Sequence, residues 1–439
     1  MNGIDWRIPS WHGTGTRFHP PIWITFARHE KGRAAPRAAR AADAAATDVL
    51  PAYRHLTRLA ALTALLLVRA TSADVLPDDR ADLFYSKYSG GGMDITGESV
   101  LVRKKFTENF AVEANYFVDK VSGASVDVLS NASVIKDERK QKSGTVEYMH
   151  DKTTYSLSYI NSVERDYISN TTHASLSQDM FGDLTTLTLG WGRTRDGVGE
   201  NDGTAFVPRI VWLGHAESQS YNVGLSQILT KNLIGGLNFE VITDDGYLAN
   251  PYRAIRYLDP SNPKGYSLAS QVYPDTRTST AIQGQAKYYL PWRAALTGSY
   301  RYYHDTWDIT GNTYELDYAH PLANIWILEG RLRYYKQGHA SFYSDLFPYA
   351  DSQNFMGRDR DLASAENTTI GAKVTYAFLP DGWKMFKRGT ATLDISRISF
   401  HYLDFTDIKD YGLPEYQPGD EPLYHFNATV FQIYMSMFF

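Results

Sequence analysis

The residues best suited to chemistry are a set of charges in the second half of the chain: Arg301, then Glu315 and Asp317, then Glu329, Arg331 and Arg333. Between and beside them stand Tyr300, Tyr302, Tyr314, Leu316, Tyr318, Leu332 and Tyr334. In extended chain, a two-residue spacing sends the charges to one face and the rings and aliphatics to the other. Counting from the connections near 307–309 and 321–323 puts Glu315 or Asp317 level with Arg301 on one side and Arg331 on the other. The expectation is a cross-strand row of Arg301, Glu315/Asp317 and Arg331 on an inner wall. Such a row either sets a transverse field that selects solutes or neutralises charges where water is limited. The second role is favoured, because paired charges cancel much of their own field.

Catalytic and metal chemistry lack their usual patterns. The chain holds no nucleotide-binding Gly-rich loop, no HExxH and no GxSxG. Asp244-Asp245-Gly246 and Asp359-Arg360-Asp361 bring carboxylates together, but calcium takes about six to eight oxygens and neither run has the spacing of a known loop. Both read as solvated loop charge. His320, His339, His401 and His425 stand without partners at ligand spacing. With no cysteine there is no disulfide and no thiolate metal site. No cofactor and no metal site are expected, and the chain is not expected to be an enzyme. The enzymatic alternative is a Ser/His pair that converges only in three dimensions. A net charge of -5 argues against nucleic acid as a partner.

The elements that must carry these charges are strands. Tyr424 to Phe439 reads YHFNATVFQIYMSMFF, with Phe431, Ile433, Met435, Met437 and Phe439 on one face and Gln432, Tyr434 and Ser436 on the other. The same rhythm runs through Phe110/Val112/Ala114/Tyr116/Val118, Tyr155/Leu157/Tyr159, Leu187/Leu189/Trp191, Leu237/Phe239/Val241 and Ile370/Ala372/Val374/Tyr376. Segments of about ten residues with period two, many times repeated, mark a membrane barrel. Short links at Gly182-Asp183, Lys231-Asn232, Pro291-Trp292 and Pro321-Leu322 alternate with long ones at 121–141, 195–216, 244–275 and 338–363. A bacterial barrel separates short turns from long loops in this way. The fold expected is all-β: a transmembrane antiparallel up-and-down β-barrel of about sixteen strands, the first at Leu83 to Tyr88 and the closing one ending at Phe439. The 31 Tyr and 9 Trp suit its interfaces. Tyr288, Tyr289 and Trp292 are expected in one girdle, and Tyr300, Tyr302, Tyr334 and Tyr335 in the other.

The amino terminus differs. Residues 1–53 are rich in Ala and Arg without strand alternation, and are read as a doubtful extension or mis-assigned start. Residues 54–73 combine a basic start, the apolar run Leu59 to Val68 and a Thr71-Ser72-Ala73 exit, the parts of a signal peptide. Residues 74–81 make a periplasmic linker, and 82–439 the barrel.

Several stretches resemble a family of proteobacterial envelope proteins, domain of unknown function 3570. They are Ser99 to Lys105, Phe117 to Ser125, Tyr273 to Arg277, Lys287 to Pro291, Tyr300 to Tyr303, Arg331 to Tyr335 and Ala340 to Tyr343. The resemblance spans about Asp82 to Phe439 and departs at Val126, where similar proteins tend to have proline. It implies an outer-membrane-type barrel and no reaction. The leading expectation is an outer-membrane channel or transporter for small polar solutes. Its partners would be outer-membrane lipid, that solute, and the barrel-assembly machinery through the C-terminal strand. A non-conducting scaffold or docking barrel is the alternative, and a membrane-embedded hydrolase the third.

Overall fold

The computed structural model describes residues 76–123, 135–201, 210–323, 325–379, 382–408 and 416–439. The proposed extension, signal segment and residues 74–75 lie outside these, as does the departure at Val126. Eighteen strands follow in order: β1 (Arg80–Gly90), β2 (Met93–Thr107), β3 (Phe110–Gly123), β4 (Ile135–His150), β5 (Thr153–Val163) and β6 (Tyr167–Met180). Next come β7 (Thr185–Asn201), β8 (Ile210–Thr230), β9 (Leu233–Gly246), β10 (Ala254–Leu258), β11 (Tyr266–Ser270) and β12 (Thr276–Tyr289). The last are β13 (Ala295–Asp305), β14 (Thr310–Leu322), β15 (Trp326–Gln337), β16 (Ala365–Ala377), β17 (Arg388–Thr406) and β18 (Leu423–Phe438).

Sixteen of them form one closed antiparallel barrel in which each strand pairs with its neighbours in sequence, while β10 and β11 make a separate hairpin. The seam is β1 against β18, where Leu83, Tyr85 and Lys87 face Met435, Ile433 and Phe431. The first strand is longer at both ends than Leu83 to Tyr88, because Arg80 and Gly90 both have partners across the seam. Phe439 lies past the strand, its N–H donating to the Asp79 carbonyl at 3.0 Å.

The wall sorts by parity. Among the most exposed apolar side chains are Leu237, Ile282, Leu316, Leu332 and Ile370, all on the outward set, and Ile370 is 64% exposed. An apolar face left uncovered by protein is what lipid covers in a membrane barrel. The inward set is polar and charged, so the two-residue alternation expresses a hydrocarbon side and a wet side.

The connections at the two barrel ends differ less cleanly than expected. One end, the turn end, has short links such as 151–152, 181–184 and 231–232, where Asp151, Gly182 and Asp183 take the positive φ that tight hairpins need. Its exception is 378–387. The loop end holds the long connections 247–275, 338–364 and 407–422, but also three short ones at 91–92, 164–166 and 306–309. At 91–92 two left-handed glycines turn the chain in two residues, so length at this end is a property of particular loops.

Candidate functional site

The charged wall forms where β13 to β16 run side by side. Register sets Asp317 opposite Arg331 and Glu315 opposite Arg333. Arg331 Nε donates to Asp317 Oδ1 at 3.0 Å and stands 3.3 Å from Glu315 Oε1, while Arg333 Nε is 3.9 Å from Glu315 Oε2. Glu329 joins the next strand through Lys373 Nζ at 2.6 Å. Arg301 does not complete the row. Its cross-strand partner on β14 is Thr313, and Glu315 sits opposite Ser299, one same-face step away. Arg301 leans the other way, its Nη2 reaching Glu240 Oε2 at 3.5 Å. The miscount comes from the β13–β14 connection, in which Asp305 accepts from the backbone N–H of Trp307 and Ile309 and fixes a longer link than the count allowed. Tyr335 was expected in an outer girdle, but it shares the inward parity of Arg333, whose guanidinium lies 5.5 Å from its ring.

The row's side chains keep contact with solvent: Arg331 is 44% exposed and Asp317 35%. Elsewhere on the inner wall pairing is general. Arg80 bridges Asp82, Arg103 bridges Glu147, Arg139 bridges Asp119 and Arg277 bridges Asp305. The wall therefore presents paired charge, and no bare cation, at these positions.

The second feature is a folded cap at the loop end, built on the aromatic-rich loops 244–275 and 338–363, for which sequence reasoning left open an inward fold or an outer binding surface. The hairpin β10–β11 is extended by backbone pairing with 343–357: the Leu258 N–H donates to Phe347 O at 2.9 Å and the Phe347 N–H to Arg256 O at 2.8 Å, while Val272 and Met356 exchange bonds at 3.0 and 2.8 Å. Tyr273, Trp307, Phe342, Leu362, Tyr402 and Phe405 pack into one cluster, and Ile255, Phe347 and Met356 into another. Gly357 lets these layers meet, since a Cβ there would stand 2.7 Å from Leu362 and 2.8 Å from Tyr273.

Charge locks the cap. Arg256, with no exposed side-chain surface, donates to Asp345 at 2.8 Å and to Thr406 at 3.2 Å, and pairs with Glu421, itself fully buried. Arg358 holds the other Asp345 oxygen at 2.7 Å and stacks on Phe405. Burial alone would raise the Asp345 carboxyl, but Arg358 and Arg256 outweigh it and hold it below the usual carboxylate range. Arg253 is bridged to Asp359 and Asp361, so the carboxylates of the Asp359-Arg360-Asp361 run are ion-pair partners. Asp244, of the other acidic run, sits opposite Arg277. Among the described residues no group of three or more His, Cys, Asp or Glu is arranged to hold a metal.

The cap crosses the mouth. The Tyr252 hydroxyl donates to Asp166 in the β5–β6 link, whereas Arg256 binds Glu421 in the β17–β18 connection. Six strands separate those connections one way round the barrel and ten the other. Four residues of chain reach at most ~14 Å, so contacts from nearly opposite rims meet over the opening.

The histidines find partners that spacing did not reveal. His339 Nδ1 lies 2.8 Å from Asp404 Oδ2 and 3.2 Å from Ser364 Oγ. Serine, histidine and acid thus meet, as a hydrolase requires, yet both converge on one ring nitrogen. A relay needs the acid on one nitrogen and the nucleophile on the other. The Ser364 N–H also donates to Asp404 at 2.7 Å, which makes this trio a clasp between the 338–364 loop and β17. His401 and His425 stack across β17 and β18 with centroids 6.2 Å apart, a pair that strand register would have revealed.

The family described as "Protein of unknown function (DUF3570)" matches residues 129–388, more than half of the chain. The chain belongs to the DUF3570 family. No curated protein sequence matches it. Among solved structures it is similar to the siderophore receptor PirA from Pseudomonas aeruginosa, with 8% identity, TM-score 0.40, and 76% of this chain against 60% of that one. It therefore spans about 60% of that receptor's length. A bacterial polysaccharide outer membrane secretin matches with 11% identity, TM-score 0.44, and 82% and 98% of the two chains. Pseudomonas aeruginosa OccK2 (OpdF) matches with 10% identity, TM-score 0.36, and 83% and 99%.

Proposed function

We propose that this DUF3570 member is an outer-membrane channel for small polar solutes whose mouth is closed at rest by its cap. The observation that carries the reading is a closed sixteen-strand barrel with an apolar outside and an inner wall of part-exposed ion pairs. Barrels of about this strand number are wide enough for an aqueous lumen, and an apolar wall with no protein cover calls for lipid. The phenylalanine-ended β18 at the seam is the strand the barrel-assembly machinery would engage. The test is conductance of the refolded full barrel in planar bilayers: discrete openings support the channel, and silence at every voltage, both in the parent and with the cap loosened, refutes it.

The scaffold reading is favoured by one observation, the cap over the mouth with its own buried core. Silence in the bilayer that persists after the cap is loosened, as by the Arg256 replacement below, selects it.

A further inference from the structure

The charges of the inner wall are not evenly paired along its rim. Arg80, Arg103, Lys105, Arg139, Arg277, Arg301, Arg331, Arg333 and Lys373 each lie within ion-pair distance of a carboxylate. Of the carboxylates outside those pairs, four gather at the loop end of β4 to β7. Asp137 and Asp196 have inward parity there, and the short link between β5 and β6 adds Glu164 and Asp166. These act on one another: Glu164 lies in the field of Asp137 and Asp166, and Tyr167 in that of Asp196 and Glu164. The cations facing them are Arg139, already bound to Asp119, and the exposed Arg165.

Acidic residues in a loop would ordinarily be solvated charge. Here Asp166 is 1% exposed, and its Oδ1 has no hydrogen-bond partner among the described residues, the other oxygen being taken by Tyr252. Asp196 Oδ1 is likewise buried and unpartnered. A buried carboxylate oxygen without a donor is costly, and a bound cation relieves that cost.

We propose that this sector of the mouth is a binding site for small cations of the ammonium type, and that the channel therefore prefers cationic solutes. Rings of carboxylate govern cation selectivity in pores. Tyr252 ties the site to the cap, so a cation reaching Asp166 does so where the cap meets the rim. The selectivity half of this inference rests on the channel reading; the binding half does not.

The experiment uses the refolded full chain. In a KCl gradient across a planar bilayer the reversal potential has the sign of cation preference, and Asp166→Asn with Asp196→Asn lowers the permeability ratio by roughly threefold or more. A conducting barrel that prefers anions, or whose ratio the substitutions leave unmoved, overturns the selectivity. If no current flows, either in the parent or with the cap loosened, the channel reading fails, and the site is judged by spermidine binding to the protein in detergent. Binding weakened about tenfold or more in the variant supports the site, and absent or unaltered binding overturns it. Should the double variant not give the heat-modifiable band of a folded barrel, Asp137→Asn, on β4 and outside the β5–β6 link, is read by the same criteria.

Discussion

Replacing Arg256 with methionine removes the charge at the centre of the cap and keeps most of its volume. Asp345 retains Arg358 after the change. Glu421 retains the Gly419 N–H at 2.8 Å and loses its cation. Breaking a buried pair from one side costs about 3–5 kcal/mol, because the remaining charge stays desolvated. At about 1.4 kcal/mol per tenfold, the open population of the cap rises by roughly two to three and a half decades. The network meets the barrel ladder at Thr406, the last residue of β17, but β14 and β15 lie outside it, so they stay as protected as before. Hydrogen exchange separates the two: the amides of Leu258, Val272, Phe347 and Met356, which hold the cap together, exchange about a hundredfold faster or more, while those of β14 and β15 are unchanged. Arg256→Met with Glu421→Leu recovers much of the loss, since no charge is then left buried. Cap amides within about tenfold of the parent, or cap and barrel loosening together, would refute the assignment of this ion pair as the lock.

Acid opens the same cap. The folded Asp345 titrates below its unfolded value, so its contribution is present above the ordinary carboxylate range and is lost as pH falls through the folded value; cap exchange is slow at neutral pH and accelerates below about pH 4. Glu164 runs the other way. Burial, with Asp137, Asp166 and Asp119 outweighing Arg139, pushes it from 4.5 up to about 7. Its contribution is therefore full below its unfolded value and is lost as pH rises through about 7, so amides of the β5–β6 link exchange faster at pH 8 than at pH 6, beyond the intrinsic change, and cation preference is greater at pH 8 than at pH 5. Gly90→Val splits the seam: a Cβ there would lie 2.4 Å from Ala428 Cβ and 2.5 Å from its Cα, costing about 1–3 kcal/mol in urea unfolding, whereas Gly298→Ala, with nothing within 4 Å, is close to neutral. Arg331→Gln leaves Asp317 without its cation and Glu315 with only Arg333 at 3.9 Å; in bilayers it shifts the reversal potential further toward cations.

The barrel was legible because lipid outside and water inside impose a period of two on every strand, and the alternation around Phe239, Ile282, Leu332 and Ile370 carries that directly. The row Glu315, Asp317, Arg331 and Arg333 was legible for the same reason, parity and register being nearly the whole of it. Arg301 was misjudged by one step, since register also depends on how a connection folds, and Asp305 folds this one through backbone contacts that no periodicity records. The cap was not legible. Its residues, among them Arg256, Phe347, Glu421 and Tyr252, come from separate connections and share no spacing. Only the density of aromatics in 244–275 and 338–363 hinted at it, and that admits either an inward fold or an outer surface.

The partner of Arg256 lies in the connection just before the final strand. The strand that seals the wall and the residue that helps to roof it are thus consecutive in the chain, so a change that displaces the start of β18 also moves Glu421 and loosens the hold on the hairpin.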